Sequence, residues 1–361
     1  MVTISLCMIV KNEEDVLERC LNSIQDAVDE IIIVDTGSTD QTKEIADSFT
    51  DKVFDFKWVN DFSKARNYAF SKATKDYCMW LDADDVVLEQ DRNNLRKLKE
   101  ELDPSIDIVL MKYHVGFNEN GESNFSYYRE RIIKNDGRHR WVSPIHEVIP
   151  MIGKTLYSEI GIIHKKVKAT DPNRNITIFE DMIEQKIELD ARQVYYYARE
   201  LYYHQRYQEA IERFNQFLNR EDGWKENKIE ACQLLAKCYE ALQEEKKRLE
   251  SLLRSFYYDS PRAEIDCEIG NYFFDKREYR IAIYWYQQAL SNDSKERKSG
   301  FIQSDCYDYI PLLQLCVCFD RLHEVEKANM YNELVGQIHP TSKAYLYNKD
   351  YFSNKLKTKE A

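Results

Sequence analysis

Residues 1–115 alternate between short, wholly apolar runs and longer amphipathic stretches. TISLCMIV (3–10), EIIIVD (30–35), KVFDFKWV (52–59), YCMWLD (77–82) and DIVLMKYHV (107–115) read as strands, rich in β-branched residues and short enough to be buried on both faces. Between the first two, EDVLERCLNSIQDAV (14–28) puts Val16, Leu17, Cys20, Leu21 and Ile24 on one helical face. TGSTDQTKEIADSF offers N-cap candidates for the next helix, and FSKARNYAFSKA (62–73) and residues 88–102 continue the alternation. Strands separated by helices predict βαβ units and a mainly parallel, Rossmann-like sheet. Such sheets bind ligands beyond the carboxyl ends of their strands. Asp35 and Asp82 each end a predicted strand.

From about residue 190 the strand pattern vanishes and helices recur. ARELYYHQRYQEAIERF (198–214), AKCYEALQEEKKRLESL (236–252), GNYFFDKREYRIAIYWY (270–286) and CVCFDRLHEVEKANMYN (316–332) align in register. Each opens on a small residue (Ala198, Ala236, Gly270, Cys316), then carries Leu201, Tyr239, Phe273 or Phe319, then Ala210, Arg248, Ala282 or Ala328. Small residues at these spacings let paired helices approach closely, the signature of a tetratricopeptide repeat (TPR). Arg248 departs from it, and the polar stretch SNDSKERKSG separates the last two units. The bland reading is an unrelated helical bundle. Repeats of this type present a concave surface to a peptide or protein, or serve dimerisation.

At 361 residues the chain can hold two cores, and 43% apolar with 32% charged residues describes a globular protein. A net charge of −12 argues against nucleic acid as a general partner. The nine cysteines are scattered, most of them in apolar periodic segments (Cys232, Cys238, Cys316, Cys318), and read as buried free thiols. The opening MVTISLCMIVKNEE has neither a basic leader nor an apolar run of membrane-spanning length. A cytoplasmic protein without stable membrane insertion is expected.

Chemistry concentrates at the strand ends. WLDADD delivers Asp82, Asp84 and Asp85 directly after an apolar run, and like charges so placed call for a cation between them. A hard divalent ion takes oxygen ligands and keeps waters and substrate phosphates. Asp35 before Thr-Gly-Ser could bond a base or ribose, or simply cap its turn. Arg66, in the opening turn of a helix where acids are favoured, is a candidate for gripping phosphate oxygens, against a solvated-face reading. His164 ends the apolar run 160–163 and suits a metal ligand; His146 and Glu147 follow a Ser-Pro turn, and either could be a general base.

CMIVKNEE, IIIVDTGSTDQT, NDFSKARNYAF, WLDADD, the RW…IHE segment and IIHKK together resemble an inverting family 2 glycosyltransferase of GT-A fold. The arrangement with C-terminal repeats is similar to bacterial peptide S-glycosyltransferases that modify bacteriocins. The resemblance implies that Glu13 and Asp35 contact a nucleoside and that Arg66 lies near a diphosphate. It further implies that Asp82 and Asp84 bind ribose and Mg²⁺ or Mn²⁺, that His164 completes the metal shell, and that Glu147, with His146 as runner-up, deprotonates the acceptor. The expected organisation is a catalytic domain over 1–170, a linker helix over 171–190, repeats over 191–340 and a tail over 341–361. The expected partners are a UDP-sugar and a peptide or protein acceptor (Cys or Ser/Thr) on the repeats. Two alternatives stand beside this: a transferase for a surface or secreted glycan that homodimerises through its repeats, and an inactive repeat scaffold.

Overall fold

The computed structural model describes residues 1–117, 121, 123–167, 171–292 and 302–360, the last helix with side chains to 357. The chain divides into two compact units, Met1–Leu189 and Asp190–Ala361.

In the first unit the strands β1 (Ile4–Val10), β2 (Glu30–Asp35), β3 (Val53–Asp55) and β4 (Tyr77–Trp80) are parallel, in the order β3-β2-β1-β4. Helices α1 (Leu17–Ile24), α2 (Thr42–Phe49) and α3 (Phe62–Phe70) connect them. After the short β5 (Asp85–Val86) and α4 (Glu89–Glu101) come three long strands, β6 (Ile108–Phe117), β7 (Ser123–Lys134) and β8 (Thr155–His164). β7 inserts antiparallel between β4 and β6, β8 lies parallel to β6, and β5 pairs antiparallel with the end of β8. The sheet is therefore mixed but mostly parallel, as α/β patterning implies. Two strand expectations shift. The 52–59 run pairs only over Val53–Asp55, because it leaves the sheet at its edge, and β7 went unread because its first half, SNFSYYRE, is polar and only half-buried.

Both faces of β1 are covered, which is why its sequence is continuously apolar. Leu6, Met8 and Val10 join Leu17, Leu21 and Ile24 of α1 and Leu95 of α4 in the main core. On the other face Cys7 packs with Ile32, Val34 and Cys78 against Ala69 of α3. The nine cysteines are free and buried. Helix α5 (Arg174–Glu184) ends this unit: Phe179, fully buried, stacks on His146, and Arg174 lies over the Phe62 ring.

The second unit is four helical hairpins, α6/α7 (Ala191–Tyr203, Tyr207–Leu218), α8/α9 (Lys225–Ala241, Glu245–Arg254), α10/α11 (Ala263–Asp275, Tyr279–Ser291) and α12/α13 (Tyr309–Arg321, Val325–Ile338), followed by α14 (Lys343–Glu360). The small residues sit where the repeat reading puts them: Ala198, Ala210, Ala236, Gly270, Ala282, Cys316 and Ala328 are all buried. A Cβ on Gly270 would meet the Tyr286 ring at 2.6 Å, so the helices touch there. Each hairpin turns identically. Gln205, Gln243, Arg277 and His323 take positive φ of 59–62°, and the following amide bonds back to the carbonyl of Leu201, Tyr239, Phe273 or Phe319. This is a Schellman ending, with the motif's large residue supplying the capped carbonyl. Arg248, the exception, is buried where its counterparts are alanine, and it pairs with Glu240 and Asp275. The polar insertion lies outside the described residues from 293 to 300. No helix of the described residues is long and apolar enough to cross a membrane.

Candidate active site

Parallel pairing of β1, β2 and β4 brings their carboxyl ends to one edge, with Val10 opposite Asp35. The loop after β1 is fastened to the loop after β2. Asn12, at φ 56°, donates its amide to Ser38 Oγ (2.9 Å) and accepts from the Thr39 amide (2.8 Å), while the Glu13 amide donates to Thr42 Oγ1 (2.7 Å). Asp35 caps its turn through one oxygen and leaves the other without a partner. Oδ1 accepts the Gly37 and Ser38 amides at 2.9 Å, as a turn cap would, while Oδ2 is buried without a hydrogen-bond partner. A buried carboxylate oxygen left unpaired is costly, and a ligand hydroxyl or amide would satisfy it.

Arg66 is the hub. Asp61 caps α3 by accepting the Lys64 amide, which fixes the first turn and leaves Arg66 pointing off its inner side. Its Nη2 donates to Asp82 Oδ1 (2.7 Å) and its Nε to Glu147 Oε1 (2.6 Å), with the side chain only 8% exposed. The guanidinium carbon lies 4.7 Å from the Trp80 ring centroid and 4.9 Å from that of Trp141, two indoles that meet edge-to-face at 5.1 Å, so it sits against an aromatic corner. Burial works against both charges of the Arg66–Asp82 pair. Arg66, aided by Arg131 and Arg129, nevertheless holds the Asp82 carboxyl down at about 2. Arg66 Nη1 has no partner.

Asp84 and Asp85 part company. Asp85 is fully buried: Arg131, equally buried, donates to Oδ2 at 3.0 Å, as does the Asp82 amide, and Tyr113 donates to Oδ1 at 2.9 Å. Because β5 pairs with the end of β8, His164 faces Asp85 across the ladder. Its Nδ1 lies 3.3 Å from Asp84 Oδ1, 3.5 Å from Asp85 Oδ1 and 2.8 Å from the Tyr113 hydroxyl. Bonds to Asp84 and Asp85 push the His164 imidazole up to about 10, so a proton does there what a cation would do. Asp84, Asp85 and His164 each bring a donor atom within 4.8 Å of the others. Asp85 is already saturated by Arg131, Tyr113 and a backbone amide. That leaves Asp84 and His164 as the accessible donors, a partial set suited to a divalent ion that completes its shell with water and phosphate oxygens.

The segment 141–149 closes the site from the side. Asn67, next to Arg66, grips the Trp141 backbone with two 2.9 Å bonds, and the Phe62 amide bonds Pro144. Val142 and Val148 bridge across the loop, forcing Ser143 and His146 to positive φ (75° and 51°). A histidine held in the left-handed region is strained, and His146 is held there by its stack on Phe179. Glu147 emerges beside it, 12% exposed, with Oε1 on Arg66.

The structure thus gathers Arg66, Asp82 and Glu147 into one network and Asp84 and His164 into an adjacent one. Asp35 and Glu13 stand at the ends of the neighbouring strands. Asp82 spends its carboxylate on Arg66 rather than in the three-donor cluster, where Asp85 stands instead. Sequence reasoning passed over Asn67, Trp80, Trp141, Tyr113 and Arg131. Asn67, Trp80 and Trp141 lie within the motifs that carried the resemblance, and Arg131 shows as a charge directly before Ile132 and Ile133 in β7's buried end.

The acids and the Asp–His pair lie at the carboxyl edge of an α/β sheet, where such sheets bind their ligands. Residues 5–153 match the Glycosyl transferase family 2 model, and this part of the chain is a family 2 glycosyl transferase domain. A TPR repeat-containing protein of Synechococcus elongatus is 37% identical over 150 residues, 41% of this chain and 36% of that one. The SPbeta prophage-derived glycosyltransferase SunS of Bacillus subtilis is 27% identical over 230 residues, 60% of this chain and 53% of it. The chain thus spans about half or less of these curated relatives. Among solved structures, glucosyl-3-phosphoglycerate synthase from Mycobacterium tuberculosis with Mn²⁺ and UDP-glucose aligns over 31% of this chain and 44% of that one, at 23% identity and a TM-score of 0.28.

Proposed function

We propose that the protein is a metal-dependent inverting glycosyltransferase that moves a sugar from a UDP-sugar to a Cys or Ser/Thr side chain of a peptide or protein. The observation that carries this reading is the Arg66 bridge, which ties the strand-end acid Asp82 to Glu147 beside the Asp84–His164 pair. Glu13 and the unpaired Oδ2 of Asp35 take the nucleoside, and Asp82 the ribose. Arg66 Nη1 is directed to a diphosphate oxygen. Asp84 and His164 would hold Mg²⁺ or Mn²⁺, with Asp82 close by, and such an ion would offset charge on the departing diphosphate. Glu147 keeps Oε1 on Arg66 and takes the acceptor proton on Oε2. The acceptor attacks the anomeric carbon as its bond to the diphosphate oxygen breaks, inverting the configuration. His146, in its strained backbone, orients the acceptor. The helical repeats supply a surface for a polypeptide acceptor, which favours this over a glycan.

The deciding measurement is UDP release from a panel of UDP-sugars with Mn²⁺. We expect slow hydrolysis of one donor by wild type and none by Asp84→Ala. A wild type that binds no nucleotide sugar would make the chain a scaffold.

A further inference from the structure

A second cluster of ligand-type side chains lies at the other edge of the sheet, where β4, β6 and β8 begin. Asp107 precedes β6, and Asp136 and His139 lie on the turn that follows β7. Donor atoms of all three fall within 4.8 Å of one another. His139 is only 6% exposed, and neither of its ring nitrogens has a hydrogen-bond partner, although both are buried. A buried imidazole with two unpaired nitrogens beside two carboxylates is unusual in a folded protein. Asp107 is held ready. It seats against Gly153, where a Cβ would run into its Oδ2, and that oxygen accepts the Lys154 amide at 2.8 Å.

A cation already stands between the carboxylates. Arg138 Nη2 lies 2.5 Å from Asp107 Oδ1 and 2.5 Å from Asp136 Oδ2, and its Nε donates to Asp136 at 2.7 Å. The Arg138 side chain is 52% exposed and can swing into water, whereas the imidazole cannot leave. The guanidinium satisfies the two acids and does nothing for His139. A metal ion at the same point would satisfy all three.

We propose that Asp107, Asp136 and His139 form a second divalent-metal site, remote from the candidate active site, with Arg138 as the exchangeable cation that fills it in the metal-free protein. Two carboxylate oxygens and one imidazole nitrogen select Zn²⁺ over Mg²⁺ or Ca²⁺, which want oxygen alone. The bound ion clamps the start of β6 to the turn at 136–139. That turn runs directly into Trp141 and the loop bearing His146 and Glu147, so the clamp stiffens the approach to the active site.

The test is Zn²⁺ titration by calorimetry on the full chain carrying Asp84→Ala, which removes the Asp84–His164 pair from the count. One Zn²⁺ should bind. Adding Asp136→Asn, at an exposed position, should weaken binding by about tenfold or more. Adding Arg138→Gln should tighten it, because the competing cation is gone. His139→Asn, with far-UV circular dichroism confirming its fold, should abolish it. The proposal is overturned by no Zn²⁺ binding, by unchanged affinity in Asp136→Asn or His139→Asn, or by weaker binding in Arg138→Gln.

Discussion

At the residue scale, single side chains here do two jobs at once. Glu147 is tied to Arg66 through one oxygen and proposed to take a proton on the other. Glu147→Gln keeps the shape and an acceptor for Arg66 but not the basicity. We expect turnover with acceptor to fall about 10²–10⁴-fold with little change in donor KM, measured by steady-state kinetics. Loss of donor affinity instead would reassign Glu147 to binding. Glu30, at the opposite end of β2, is a purely structural counterpart. Burial would raise its carboxyl, but bonds from Lys52, Ser5 and both the amide and hydroxyl of Thr74 outweigh this and lower it from 4.5 to about 2. A folded-state value below the unfolded one stabilises fully above pH 4.5, and that contribution is lost as pH falls through about 2. It is worth about 3 kcal/mol. Urea unfolding should show wild type ahead of Glu30→Gln near neutral pH, the two converging as acid is added; a constant gap would rule the linkage out.

At the element scale, the second unit rests on close approach between paired helices. Gly270→Ala places a methyl group 2.6 Å from the ring of Tyr286, which is fully buried and anchored through its hydroxyl to Asn271. Overpacking costs about 1–3 kcal/mol, and better helix propensity returns about 1. A lower melting temperature is therefore expected by calorimetry; a rise would mean that Tyr286 can move aside. The repeat pattern was readable because close packing restricts residue size at fixed spacings. The turns were not. Nothing in Gln205, Gln243, Arg277 or His323 announces a left-handed residue, since glycine is the usual choice there. What settles them is the capped carbonyl two residues before each helix ends.

At the scale of the whole molecule, the natural end of the first unit is Leu189, with α5 part of it through Phe179 on His146 and Arg174 on Phe62. A fragment of residues 1–189 should melt cooperatively, and one of residues 1–167 at a lower temperature, because it strips the support from His146. Equal melting points would detach α5 from the unit. Periodicity could not show this: an amphipathic helix declares that it has a buried face, not which neighbour buries it.

The sequence alone determined the alternation of strand and helix, the repeat array, and the acids at the strand ends. Each of these is written in local spacing, where burial dictates residue type at periods of two or 3.6. Tertiary structure alone decided which acids share a partner. Asp82, Asp84 and Asp85 are nearly contiguous, yet Arg66 claims the first, His164 approaches the second, and Arg131 buries the third. Those partners arrive from α3, β8 and β7, far along the chain, and the crossing of β7 between β4 and β6 brings Arg131 within reach. Charge balance between distant segments leaves no local pattern, so only the fold could assign it.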